Sequence, residues 1–235
     1  MLFRQLFHAD TGTYTYLLAD AATRKALMID PVIDNVEQYT QLLKQLDLTL
    51  VAAVDTHVHA DHITALGALR DLTGCTTMMG EPARAACVSE TFKDGDVIRF
   101  GELSVKVLFT PGHTDDSYTF LYQAGDTLWA FTGDALLIRG CGRTDFQNGN
   151  SKTQYDTLYK KLMALPDDTR VYPGHDYKGW TMSTIGEERK HNPRLQAKTV
   201  DDFVTLMANL KLASPKHMDV AVPANLACGN VKKSS

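Results

Sequence analysis

The sequence predicts an α/β (α+β) chain built as two mixed sheets packed face to face, with helices on the outer faces. Three observations predict it. Strand-like and helical runs bracket one another in an irregular order rather than in strict alternation. Four polar clusters each stand at the end of a strand-like run. At 235 residues the chain has room for one substantial core, so 1–235 is expected to form a single domain, with 176–235 as a helical tail extension packed on it.

Tyr14 to Leu18 and Ala26 to Asp30 read as short strands, the second closed by Asp30-Pro31. Val36 to Leu46 then carries Val36, Leu42, Leu43 and Leu46 at helical spacing, one face suited to covering a sheet. Leu50 to Val54 is a valine-bearing apolar run, a buried strand that delivers the chain into Asp55-Thr56-His57. Ile63, Leu66, Leu69 and Leu72 are helical in spacing and Gly74 is placed to end that helix, which puts Asp61 and His62 at or just before its start. Val97 to Phe100, Val105 to Phe109, Tyr118 to Tyr122 and Leu128 to Thr132 suggest a largely antiparallel sheet. Tyr155 to Leu165 reads as a helix, Arg170 to Tyr172 as a short strand and Asp201 to Leu212 as a late helix.

Composition excludes several function classes. With 44% hydrophobic and 22% charged residues the chain is an ordinary globular one, and a net charge of −4 argues against nucleic acid as a partner. No window approaches a membrane span, and the N-terminus has neither an apolar signal core nor the arginine-rich bias of a transit peptide. Cys75, Cys87, Cys141 and Cys228 lie far apart without a Cys-x-x-Cys pair, which gives no reason to expect a disulfide and fits a reducing, bacterial-type cytoplasm.

The polar clusters are Thr56-His57-Val58-His59-Ala60-Asp61-His62, Pro111-Gly112-His113-Thr114, Thr132-Gly133-Asp134 and Pro173-Gly174-His175-Asp176. A lone histidine in any of them would most simply satisfy a local hydrogen bond. Seven imidazoles and carboxylates recurring at strand ends call for something else, because these are the ligand types that suit a borderline divalent metal. His57 and His59 are two apart, so in extended backbone they point to one side. A glycine before His113, Asp134 and His175 permits the tight backbone that aims each side chain.

The His-x-His-x-Asp-His spacing, followed by two Pro-Gly-His segments and a Thr-Gly-Asp, resembles the metallo-β-lactamase superfamily. That resemblance implies an αββα sandwich with the metal site at one edge of the sheets. It does not settle the reaction, since the superfamily includes thioester, lactam and phosphodiester hydrolases as well as oxygenases. The stretch from Thr132 through Arg139-Gly140-Cys141-Gly142-Arg143-Thr144-Asp145-Phe146 is similar to persulfide dioxygenases, mononuclear iron enzymes that oxidise glutathione persulfide. Pro173 to Tyr177, Glu187-Glu188-Arg189, Asn192 to Leu195 and Ala221-Val222-Pro223-Ala224-Asn225-Leu226 resemble the same family. No appended rhodanese-like domain is seen. Glyoxalase II shares the His57 to His62 motif and a Gly-Cys-Gly-Arg, and would hold two zinc or iron ions to hydrolyse S-lactoylglutathione. The Arg143 to Phe146 continuation and the C-terminal motif favour the dioxygenase, and a non-catalytic metal-binding module ranks below both.

The dioxygenase resemblance implies one Fe(II) per chain on His57, His113 and Asp134, with open positions for the persulfide sulfur and dioxygen, and sulfite and glutathione as products. It implies that His59, Asp61, His62, His175 and Asp176 support the ligands rather than bind iron, although they would make a second metal site in a hydrolase. Arg143 is the first choice for the glutathione carboxylates, with Tyr177 beside it and Arg139 as a weaker candidate. Cys141 reads as a small buried thiol rather than a sulfur carrier. Families of this kind often form homodimers.

Overall fold

The computed structural model describes residues 1–210, 212 and 218–230. These divide into two compact units, the first formed by 1–93, 97–104 and 218–230, the second by 94–96, 105–210 and 212.

In the first unit β1 (Leu2–His8), β2 (Thr13–Ala19) and β3 (Lys25–Ile29) form an antiparallel ladder. From β3 the connections change, because α1 (Val36–Gln45) carries the chain back to add β4 (Thr49–Val54) in parallel, and α2 (Leu66–Thr73) does the same for β5 (Thr76–Gly80). A short β6 (Glu90–Phe92) closes the order β1-β2-β3-β4-β5-β6, and β7 (Val97–Phe100) comes next along the chain. Tyr39 and Leu43 of α1 and Leu66 and Leu69 of α2 are buried with Leu17, Met28 and Leu50 in one apolar core. Burying each such side chain contributes about 1.5–3 kcal/mol. Gly74 ends α2 at φ +72°, as its placement predicts. Parallel pairing has a consequence for function: β3 and β4 end at the same edge, so Asp30 and the Asp55-Thr56-His57 segment emerge side by side, tied by Asp30 N–H donating to Val54 O (2.9 Å). The helix starts at Leu66 rather than at Ile63, which leaves Asp61 and His62 in the loop.

In the second unit β8 (Leu103–Phe109, in this unit from Val105), β9 (Tyr118–Ala124) and β10 (Thr127–Gly133) are antiparallel, β11 (Arg170–Pro173) joins β10 in parallel, and β12 (Ser183–Thr184) pairs with β11. The expected antiparallel sheet is therefore mixed, because the long crossover through α3 (Ser151–Asp156) returns the chain to the starting end. That helix begins at Ser151 rather than Tyr155, since the Asn150 side chain accepts from Lys152 N and Thr153 N, and it continues in wider turns through Thr157–Leu162. A further helix that the apolar spacing does not predict, α4 (Ile185–His191), starts on a Thr184 cap. The late helix, α5 (Val200–Ala208), starts on a Thr199/Asp202 capping box and stops short of the expected Leu212. Leu158, Leu162, Val171, Ile185 and Phe203 form this unit's apolar core.

The chain then contributes α6 (Met218–Asn225) to the first unit. Immediately after it, Cys228 is joined to Cys87 by a disulfide across 141 residues of sequence. Cysteine spacing offers no reason to expect this pairing, and the structure corrects that reading: cysteines remote in sequence meet because α6 returns to α2 and the segment before β6. Cys75 and Cys141 are free and buried. Among the described residues no helix is long and apolar enough to cross a membrane.

Candidate metal centre

The first unit gathers His57, His59, Asp61 and His62 on the loop between β4 and α2. Their rings are close, with centroids 4.2 Å apart for both His57–His59 and His59–His62. Counting hydrogens fixes which nitrogen each ring offers. Thr56 Oγ1 gives its single proton to Asp30 Oδ2 (3.0 Å), so its contact with His57 Nδ1 (3.0 Å) is accepted from the ring, which leaves a lone pair on Nε2. His59 Nε2 faces Asp30 Oδ1 (3.2 Å) and His62 Nδ1 faces Asp61 Oδ2 (3.0 Å), so in the neutral rings the lone pairs fall on Nδ1 and Nε2 respectively. Asp30 is fully buried; burial pushes its carboxyl above the usual range, while His57 and the Thr56 N–H pull the other way. Asp30, Asp55 and His59 bring their ligand atoms within 4.8 Å of one another. Neither carboxylate stands among the site residues expected from sequence. The signal available is position: Asp30 closes β3 and Asp55 directly precedes the motif.

From the same loop a chain of contacts leads outward: Thr13 Oγ1 lies 3.4 Å from both Asp61 Oδ2 and His62 Nδ1, and 2.7 Å from Thr11 Oγ1, which meets His8 Nδ1 at 2.8 Å. A cleft of about 290 Å³ opens there, lined by His8, Asp34, Asp61, His62 and Val220 among others.

The second unit gathers His113, Asp134 and His175, one from each of three strand-end turns. His113 Nδ1 lies 2.6 Å from the Arg143 carbonyl; a carbonyl only accepts, so the ring proton is on Nδ1 and Nε2 carries the lone pair. That Nε2 is 3.6 Å from Asp134 Oδ2, and His175 Nε2 is 3.8 Å from Asp134 Oδ1. Both distances exceed a hydrogen bond, and the one between His113 and Asp134 suits ligand atoms arranged around a cation. Asp134 Oδ1 is buried and accepts no hydrogen bond, an expensive arrangement that a metal ion would relieve. Two glycines make room. A Cβ on Gly142 would stand 2.6 Å from His113 Nδ1, and one on Gly174 would stand 2.7 Å from Asp134 Oδ1. The residues present therefore fit a metal ion. Asp176 is also buried, but its carboxylate caps its own turn, accepting from Lys178 N (2.8 Å) and Trp180 N (2.7 Å).

The expected substrate groups occupy varied settings. Arg143 forks onto Asp145 (2.7 and 2.8 Å) and lies over the Phe146 ring at 4.5 Å. Tyr177 is 76% exposed and its ring is parallel to that of His175, 6.0 Å away. Arg139 is held by Glu187 and the buried Glu188 and sits over Trp180. The Cys141 thiol is pushed up to about 12 by burial, with Met207 Sδ 3.8 Å away, so it stays neutral as a packing group.

The sequence profile of the metallo-beta-lactamase superfamily matches residues 9–175. Human mitochondrial persulfide dioxygenase is 48% identical over 97% of this chain and 89% of its own length. The chain belongs to the persulfide dioxygenase family of the metallo-beta-lactamase superfamily. A crystal structure of the family member from Myxococcus xanthus superposes with a TM-score of 0.93 at 54% identity, covering 97% of this chain and all of that one. A probable hydroxyacylglutathione hydrolase of Schizosaccharomyces pombe is more distant, 34% identical over 76% of this chain and 68% of its own length. Family membership bears out the fold expected from the His-x-His-x-Asp-His motif, two mixed sheets with helices.

Proposed function

We propose that this chain is a glutathione-dependent persulfide dioxygenase, converting glutathione persulfide, dioxygen and water to glutathione and sulfite, with one Fe(II) held by His57, His113 and Asp134. The observation that carries this reading is the 48% identity to the human persulfide dioxygenase over 97% of the chain. The reaction balances as one persulfide, one dioxygen and one water giving one thiol and one sulfurous acid, which ionises to sulfite. Held by His57, His113 and Asp134, iron(II) would supply the redox chemistry that lets the outer persulfide sulfur react with dioxygen.

The remaining tasks fall to the chain's own groups. Thr56 and the Arg143 carbonyl hold the His57 and His113 rings in the tautomer that places the lone pair on Nε2, the form a metal ligand needs. His59, Asp61, His62 and His175 brace those ligands as a polar network, the first through its contact with Asp30. Arg143 receives a glutathione carboxylate, which takes the place Asp145 now fills at its fork, one carboxylate for another. Tyr177 offers a phenol at the surface beside His175.

Anaerobically prepared protein is expected to contain close to one iron per chain and to consume oxygen only when glutathione persulfide is added. Two zinc ions per chain with rapid hydrolysis of S-lactoylglutathione would overturn the reading in favour of a glyoxalase II. Arg143→Ala is expected to raise KM for the persulfide on the order of tenfold or more with iron content unchanged, as loss of a charged hydrogen bond requires. Equal loss of iron would remove Arg143 from substrate binding.

A further inference from the structure

The loop that carries His57 to His62 is closed from outside by the far end of the chain. Asn225, the last residue of α6, is fully buried, and its side chain makes three hydrogen bonds to this loop. Its Nδ2 donates to His59 O (2.8 Å) and to His62 O (2.9 Å), and its Oδ1 accepts from Thr64 N (2.8 Å). One amide thus brackets the six residues from His59 to Thr64 and uses both of its N–H groups to do so. No other residue type reproduces this pattern at that length: aspartate lacks the two donors, and glutamine is one methylene longer.

The turn after Asn225 is fastened just as closely. Cys228 O accepts from Gly67 N (2.9 Å), and a Cβ on Gly67 would meet that oxygen at 2.5 Å. Gly229, at φ +81°, passes Thr64 O so closely that a Cβ would stand 2.2 Å from it. Cys228 N donates to Asn225 O (2.9 Å), so the cysteine and the asparagine share one tight turn, and Cys228 is bonded to Cys87 in the segment before β6. Cys228 is buried in the core of the first unit.

We propose that Asn225 is a positioning residue for the metal-ligand loop and that the Cys87–Cys228 disulfide fastens it there, so that the oxidation state of this cysteine pair sets how firmly the loop is held. The effect on metal rests on the loop's reading as a ligand loop; the effect on the loop itself does not. Reduction takes up two electrons and two protons and yields two thiols. With a phosphine as the reductant, the phosphine leaves as phosphine oxide carrying the oxygen of water. The C-terminal turn is then held by hydrogen bonds alone, and Asn225 is freer to leave the loop.

The test uses the full-length iron-loaded protein, oxidised or treated with a phosphine, and the variants Cys87→Ser, Asn225→Asp and Asn225→Ala. Two quantities are read: amide hydrogen exchange, with Thr64 N–H as direct reporter, and the rate at which a colorimetric chelator captures iron(II). Asn225→Asp is expected to speed capture by roughly 10–100-fold, the range for groups that orient metal ligands. It should speed exchange in residues 57–66 and leave β4 and β5 protected, which a general loss of stability would not do. Reduction or Cys87→Ser should speed both readouts in the parent chain and neither in Asn225→Ala. Slow Thr64 exchange in Asn225→Ala overturns the positioning role. Equal responses to reduction with and without Asn225, or free thiols at both cysteines in air-equilibrated protein, overturn the fastening. Altered exchange in metal-free protein with unaltered iron capture would retain the bracket and sink the ligand-loop reading instead.

Discussion

Asp134→Ala is expected to give a folded protein that retains less than about a tenth of an iron per chain and loses more activity than the roughly 10–100-fold that outer groups cost. The reason lies in what Asp134 does without metal. One of its oxygens is buried and accepts no hydrogen bond, and its nearest partners are imidazole nitrogens 3.6 and 3.8 Å away. Its removal therefore breaks no short contact of the side chain, and the melting curve of the metal-free protein should shift by less than about 1 kcal/mol in stability. The carboxylate contributes once it shares a cation with the imidazoles. His175→Ala separates the ligand set from its supports: a 10–100-fold loss of affinity is expected there. If His175→Ala loses iron as completely as Asp134→Ala, His175 belongs among the ligands and the site is of the hydrolase kind.

Arg139→Met is expected to lower stability by about 3 kcal/mol, in the range found when a buried ion pair loses one partner. In a chain of this size that is roughly 6–12 °C in Tm. Glu188 is fully buried, and it accepts from the Arg139 guanidinium, from Arg139 N (2.8 Å), from Ser183 Oγ (2.5 Å) and from Asn192 Nδ2 (2.8 Å). Without the guanidinium the carboxylate keeps only neutral donors. The same network orders the turn after Asp134, because Asn192 Nδ2 also donates to Gly140 O (2.9 Å). Replacing both partners, Arg139→Met with Glu188→Leu, should recover part of the loss, since the uncompensated charge goes with them. A large rise in KM with an unchanged melting temperature would instead place Arg139 in the substrate pocket.

The fold is legible in the sequence where side chains alternate. In β8 Val105 and Val107 are buried and Lys106 is exposed, and the apolar pattern places the strand within two residues of its start. It is illegible where burial carries no such signature. β5 is Thr76-Thr77-Met78-Met79-Gly80, buried over its last four residues, with neither alternation nor a valine or isoleucine run. α6 contains Pro223 and little amphipathic pattern, and its sequence stands out only as a family motif. The candidate site divides the same way. His57 to His62, His113, Asp134 and His175 can be named because each sits in a short local motif. Asp30 and Asn225 cannot, because what makes them matter lies 26 residues away in one case and 163 in the other. The capping of α3 by Asn150 is the intermediate case, a local signal that the apolar spacing from Tyr155 to Leu165 outweighs.

The reach of Asn225 has a consequence for biosynthesis. His62 leaves the ribosome 163 residues before the amide that brackets it. At about 5–20 residues per second that interval lasts roughly 8–33 s. Throughout it the segment, with three histidines within six residues, lacks the Asn225 bracket, and where geometry is loosely imposed affinity for divalent ions follows their intrinsic order, in which copper and zinc outrank iron. On the proposed reading of the centre as an iron site, selection of the metal then falls to the finished chain and to whatever limits free copper and zinc around it during synthesis.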